Sequence, residues 1–427
     1  MADDTDTPLK PRLHCQRCLY SSDHPLGLVL DDEGICSGCR VHEEKDTLDW
    51  AARWQQLQSL VAPYRSKGGQ NYDCIVPVTG GQDSYWIVHQ VKHQLGLNPL
   101  LVSYNRYYNT ELGIRNLANL RIRFDCDILV QNVNPKSVKN ITRTTLRELG
   151  SLYWHCLAGQ TVFPVQTAVR YQVPLIIWGA HQGLEQVGMF SHEHGVEMSR
   201  RYRQDHDLMG LEADDLLGQF DTLREEDIWQ YRYPDDAALA TVGVRGIYLG
   251  NYLRWDPKAQ HEQMVAQYGY RTAPFSRSFD CYDHVDCWNY LGLHDRFKLH
   301  KQGYSKVTDH ACREIRHGRL SRPQAQALVL RHEQQPVAHD GLFCDWLGLD
   351  RTGLQFLLDR ARSPRHWASP RPGQYSFTGP SSDWPALHRE RAAWTHADLG
   401  PGARFSANSR LEMDGPARYI TVGKGCD

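Results

Sequence analysis

Val76-Pro77-Val78-Thr79-Gly80-Gly81-Gln82-Asp83-Ser84-Tyr85-Trp86 runs a hydrophobic strand into two glycines, an acid and a hydroxyl, then directly into a helical pattern. Glycines at 80 and 81 open backbone angles closed to other residues, so successive amide N–H groups can point into one concavity. The helix that follows adds its positive amino-terminal end at the same spot. Thr79 and Ser84 bring hydroxyl donors, and Asp83 either caps the helix or approaches a metal. Such a turn is an anion nest. An ordinary strand-to-helix turn uses the same residue types and stands as the alternative.

The chain around this turn alternates. Tyr72 to Val78, Pro99 to Tyr104, Asp127 to Gln131 and Pro174 to Trp178 read as strands. Helical spacing covers Trp50 to Tyr64, Asp83 to Leu95, Glu111 to Phe124, Pro135 to Leu149 and Gly159 to Tyr171. Strands alternating with helices predict a doubly wound parallel sheet, with ligands beyond the carboxyl ends of its strands. After Gly179 a polar, charged stretch reads as a long loop region, followed by a helical block from Gly246 to Pro336. Its last helix opens on Ser321-Arg322-Pro323-Gln324, a capping box with proline in the first turn. Ser363 to Pro380, rich in proline, serine and glycine, reads as a linker.

Cys15-x2-Cys18 and Cys36-x2-Cys39 are paired knuckles whose thiolates can converge on a tetrahedral Zn2+. Four protein ligands fill such a site, so the zinc is expected to be structural. The 427 residues carry a formal charge of -2, which argues for neither a nucleic-acid nor a membrane surface. The acidic start Met1-Ala2-Asp3-Asp4 lacks a signal-peptide pattern, and the longest apolar run, Val173 to Ala180, is too short to span a bilayer. A cytoplasmic location is expected, with the twelve cysteines as thiols or metal ligands.

Other phosphate and hydrolase motifs are missing: no G-x4-G-K-[ST], no G-x-G-x-x-G after a strand, no H-E-x-x-H, no G-x-S-x-G. "TGGQDS" resembles the S-G-G-x-D-S pyrophosphatase loop (PP-loop) of ATP-dependent adenylating enzymes. Together with "HCLAGQTVFPVQTAVRYQVPLIIWG", "GYSKVTDHACREIRHGRLSRPQA" and the four-cysteine ribbon, it resembles the N-acetyl sugar amidotransferases of bacterial surface-polysaccharide and nonulosonic-acid pathways. The resemblance runs from Leu13 to Pro336 and implies an adenine-nucleotide alpha-hydrolase (HUP-like) α/β fold. The chain then reads as a zinc ribbon (1–48), a PP-loop domain (49–245), a helical substrate or partner region (246–340) and, beyond the resemblance, an accessory carboxyl-terminal extension (341–427).

The family chemistry implied is amidination. ATP adenylates the amide oxygen of an acetamido group on a sugar, expected to be nucleotide-linked. Ammonia from a separate glutaminase-type subunit then displaces AMP. By this resemblance Thr79, Gly80, Gly81, Asp83 and Ser84 hold ATP phosphates, with Asp83 near Mg2+, and Asn105 and Gly179 flank adenosine. Asp83, Ser84, His155 and Glu185 form the expected catalytic set, Glu185 completing a metal site. His192, Arg200, Arg201 and Lys306 are expected at the substrate, with Arg203, Asp309 and Arg313 nearby. The sequence departs from the family in Thr79 for serine, Gln82 for lysine, and Gly179-Ala180-His181 for Gly-Glu-Asn. Two rivals follow. One is a sulfurtransferase carrying persulfide on Cys426, Cys156, Cys281 or Cys287. The other is a non-catalytic nucleotide-binding module.

Overall fold

The computed structural model describes residues 11–288, 292–337, 339–384 and 399–410. Its centre is a five-stranded sheet of β1 (Cys74–Pro77), β2 (Pro99–Tyr104), β3 (Ile128–Gln131), β4 (Leu175–Trp178) and β5 (Arg245–Tyr248). The order is β3-β2-β1-β4-β5 and every pairing is parallel. Neighbouring residues of one strand serve opposite cores, as a sheet buried on both faces requires. Val76, Leu101, Leu175 and Ile177 join one core, while Ile75, Leu100, Val102 and Ile176 join the other.

Helices α1 (Ser37–Glu44), α2 (Trp50–Val61), α3 (Gln82–His89), α4 (Glu111–Phe124), α5 (Pro135–Leu149) and α6 (Trp154–Tyr171) follow in chain order. Local chemistry sets their ends. Thr110 accepts from the Gly113 amide to start α4; Asn134 with Pro135 starts α5, and Gly150 ends it at φ +58°. The long α6 packs on β1, β2 and β4, while α3, α4 and the helix Pro257–Tyr268 cover the opposite face. Because α6 leads back into parallel β4, its first turn lies at the carboxyl edge of the sheet. The capping box at Ser321 forms and opens the helix Arg322–Glu333.

Three readings of the sequence are corrected. The boundary at 245/246 falls inside β5, which the polar stretch and helical block concealed; the sheet domain runs on through Pro257–Tyr268. The Ser363–Pro380 stretch is no plain linker: Trp367–Arg371 and Gln374–Phe377 pair antiparallel as a hairpin. Its end is tied down where the Thr378 amide donates to the His366 carbonyl. The α6 helix also starts earlier than expected, at Trp154.

The ribbon is packed against the carboxyl-terminal helices. Its cysteines, Leu19, Tyr20 and Leu28 share a core with Val307, Ala311, Cys312 and Leu328. No helix among the described residues is long and apolar enough to cross a membrane.

Candidate nucleotide site and adjoining cleft

At the carboxyl end of β1 the chain turns at Gly80, whose φ of +79° only glycine adopts freely. A Cβ there would stand 2.9 Å from Leu117 Cβ and 3.0 Å from both the Gly113 carbonyl oxygen and the Leu117 amide nitrogen. The loop closes on itself. The Gly81 amide donates to Thr79 Oγ1 at 3.1 Å, and the Thr79 amide donates to Ser84 Oγ at 3.0 Å. Thr79, Gly80, Gly81, Asp83 and Ser84 are thus brought together around the start of α3, where a helix favours negative charge. Asp83 Oδ1 hydrogen-bonds His261 Nε2 at 2.8 Å, a histidine from the far side of the chain.

The segment Asp280–Cys287 lies over this loop. Gln82 donates to Asp283 and accepts from the His284 amide. The Asp286 carboxylate stands 3.8 Å from where a Cβ on Gly81 would be. Arg106 pairs with Asp286 and donates to Tyr153 Oη at 3.0 Å, joining the loop to the first turn of α6.

Tyr153 lines a cleft bounded by the ribbon, the amino end of α6 and the helices Leu293–Gln302 and Lys306–Arg316. Lys298, Lys301 and Lys306 line it. Burial lowers the pKa of Lys298, and Asp309 at 2.7 Å opposes that effect; burial also lowers Lys301. Gln182 and Asp207 line this cleft and a second one beyond β4 and β5, walled by Trp178, His181 and Tyr248. Burial pushes the Asp207 carboxyl up to about 6.

Several expected site residues stand elsewhere. Glu185 is committed to Lys45 at 2.6 Å, a lysine 2% exposed that needs this partner. His192 is buried against α1, with its ring and its amide both on Glu44. His155 is enclosed with Tyr104 Oη at 3.1 Å and Tyr108 Oη at 3.0 Å, and burial holds it neutral, with its pKa lowered to about 3. That enclosure fits core packing. Asn105 engages Asn132, Asn109 and the Tyr107 amide, shaping the loop after β2. Gly179 packs where a Cβ would stand 2.8 Å from Ile87. Arg200 and Arg203 turn to Glu212, and Arg201 points into solvent beside Asp205, so the three do not converge.

The residues that the sequence did not disclose are His261, Asp283, Asp286, Lys298, Lys301 and Asp207. Acids at 280, 283 and 286 around Cys281 and Cys287 formed the one available signal.

The Cys15, Cys18, Cys36 and Cys39 sulfurs lie within 4.8 Å of one another, all buried. Tetrahedral zinc with arms of about 2.3 Å places sulfurs about 3.8 Å apart, so the donor set fits Zn2+. Two arginines dock this knot. Arg322 donates to the Cys15 and Cys18 carbonyls, while Arg316 reaches Cys36 Sγ at 3.8 Å and the Gln186 carbonyl at 2.7 Å.

Of the candidate sulfur carriers, Cys156 is fully buried and its thiol is pushed well up by burial, while burial raises Cys281 to about 12. Cys287 is also buried, and Cys426 lies outside the described residues.

No curated protein matches the chain. Among solved structures it is similar to the NH3-dependent NAD synthetase from Campylobacter jejuni subsp. jejuni NCTC 11168 in complex with the nitrate ion, at 12% identity and a TM-score of 0.27. That likeness covers 46% of this chain and 92% of the synthetase, and says nothing of this chain's chemistry. Residues 272–378, which carry Asp286 and the three cleft lysines, match the family described as LPS biosynthesis protein WbpG-like, C-terminal domain, and this fits the N-acetyl sugar amidotransferase resemblance borne by the sequence motifs.

Proposed function

We propose that this chain is an ATP-dependent amidotransferase of surface-polysaccharide biosynthesis, converting the acetamido group of a nucleotide-linked sugar to an acetamidino group. One observation carries the reading. An anion-nest loop at the carboxyl end of the central strand adjoins, through Arg106 and Tyr153, a lysine-lined cleft in the region that matches the LPS-biosynthesis family.

The amide oxygen of the sugar attacks the α-phosphorus of ATP while the amide nitrogen gives up its proton, and pyrophosphate leaves. The Gly80–Ser84 turn and the amino end of α3 supply preorganised donors where that charge develops. Ammonia then adds to the imidate carbon, and AMP departs carrying the former amide oxygen. Mg2+, when bound, spreads the pyrophosphate charge, and Asp83 is the loop carboxylate placed to hold it. Lys298, Lys301 and Lys306 grip the anionic part of the sugar nucleotide. A separate glutaminase-type subunit supplies ammonia. Burial of Cys156 and Cys281 favours nitrogen over a sulfur relay through either thiol.

A substrate labelled with heavy oxygen in its acetamido carbonyl tests the step. The label is expected in AMP; label retained in the sugar product, or lost to water, would overturn adenylation.

A further inference from the structure

Most other carboxylates around the loop are spoken for. Glu185 is held by Lys45, Asp283 by Gln82 and His310, and Asp280 by Arg313, while the residue after Gly179 is an alanine. Asp286 differs. Its side chain is 1% exposed and Arg106 holds Oδ2, while Oδ1 faces His284 Nδ1 at 4.0 Å, beyond hydrogen-bond reach, and has no hydrogen-bond partner. A buried carboxylate oxygen left in that state is costly, and a catalytic role, a water or a bound ion are the usual reasons a structure keeps one.

Position says which ligand. Both Asp286 oxygens stand 3.8 Å from the Cβ point of Gly81, beside the loop. Backbone packing holds them there. Asp286 Cα lies 2.5 Å from the Cβ point of Gly113, an approach that only a glycine at 113 permits. The Thr110 amide donates to the Asp286 carbonyl, and Cys287 bridges to Asn109. A phosphate in the nest would therefore meet a fixed carboxylate that Arg106 compensates on its Oδ2 side, and the Oδ1 side and the phosphate repel unless a cation lies between them. A hard divalent cation with oxygen ligands removes the repulsion and satisfies Oδ1 together.

We propose that Asp286 is a direct ligand of the Mg2+ that enters with ATP, so that the WbpG-like region completes the nucleotide site. The proposal rests on the PP-loop reading above. The carboxylate comes from some two hundred residues beyond the loop, so bound MgATP ties that region to the sheet domain.

The test is calorimetric binding of ATP to the full chain, with Mg2+ or with EDTA, for wild type and Asp286→Asn. Wild type is expected to gain about tenfold in affinity from Mg2+. Asp286→Asn, with its repulsive charge removed, is expected to bind metal-free ATP at least as well as wild type and to gain less than about twofold from Mg2+. A folded Asp286→Asn that keeps the whole Mg2+ gain overturns the proposal while leaving ATP binding intact. Wild type that binds no ATP under either condition removes the PP-loop reading and this ligand with it. Because the variant leaves Arg106 unpaired and can fail to fold, a second measurement uses wild type alone: Fe2+ replaces Mg2+ beside ATP, and ascorbate with peroxide cuts the backbone near the metal. Cuts at 285–287 and near Asp83 are expected; cuts that spare 280–287 overturn the assignment.

Discussion

Gly80→Ala is the sharpest perturbation of the nest. Alanine at φ +79° costs about 1–2 kcal/mol in backbone energy alone. Its methyl would also stand within 2.9–3.0 Å of Leu117 Cβ, the Leu117 amide and the Gly113 carbonyl, two of them backbone atoms in α4 that have nowhere to go. Overpacking of that kind adds about 1–3 kcal/mol. The control is Gly243→Ala: φ is +73° there, but nothing lies within 4 Å of the added carbon. The two variants share the backbone cost, so their difference isolates the crowding. If the loop yields to relieve the contact, the nest opens, and ATP affinity falls by roughly five- to a hundredfold. If it holds, Tm falls several degrees below that of Gly243→Ala. Thermal melts and calorimetric ATP titrations of both variants read the two cases. Gly80→Ala that matches Gly243→Ala in Tm and in ATP affinity would refute the nest.

Elemental analysis of the purified chain should find one zinc per chain, and Cys36→Ser should lose it and loosen the ribbon from Arg316, read as faster proteolysis ahead of α2. His155→Phe should cost about 1–3 kcal/mol by removing its two hydrogen bonds to the Tyr104 and Tyr108 hydroxyls, which keep Tyr231 and Thr142 as partners, while the folded fraction keeps its kcat; a large loss of kcat with an unchanged Tm would return His155 to the catalytic set. The Asp207 carboxyl rises from 3.8 to about 6 on folding, so the folded state binds the proton more tightly. Its penalty is therefore absent below about pH 4, grows as pH rises to about 6 and is constant above. Asp207→Asn should accordingly be more stable than wild type at pH 7.5, by up to about 3 kcal/mol, and equal to it near pH 3.5, as denaturant melts at both values would show. Lys306→Ala should raise KM for the sugar nucleotide and leave KM for ATP within about twofold.

What was legible in the sequence was local. Four strands show as apolar runs, the glycine loop at 79–84 is a continuous turn, α5 announces both ends through Asn134, Pro135 and Gly150, and the four cysteines declare their spacing. β5 did not show, because Arg245 and Gly246 break its apolar run; Gly246 is there because a Cβ would stand 2.7 Å from Met198 Cβ, a contact across the fold. The 367–377 hairpin has mostly exposed strands, so no alternation betrays it, and its turn at Gly373 looks like linker composition. Charged partners were the least legible. Lys45 with Glu185, Glu44 with His192, and Arg106 with Asp286 are pairs separated by more than a hundred residues, and nothing local marks Glu185 or His192 as spent or Asp286 as available.

The central claim is tested most directly by product mass. The chain is incubated with ATP, Mg2+ and a panel of acetamido nucleotide sugars, in parallel with ammonium and with sulfide. A slightly lighter sugar product formed only with ammonium, alongside AMP and pyrophosphate, is the predicted result. A heavier product formed only with sulfide would contradict the account and turn attention to the cysteines.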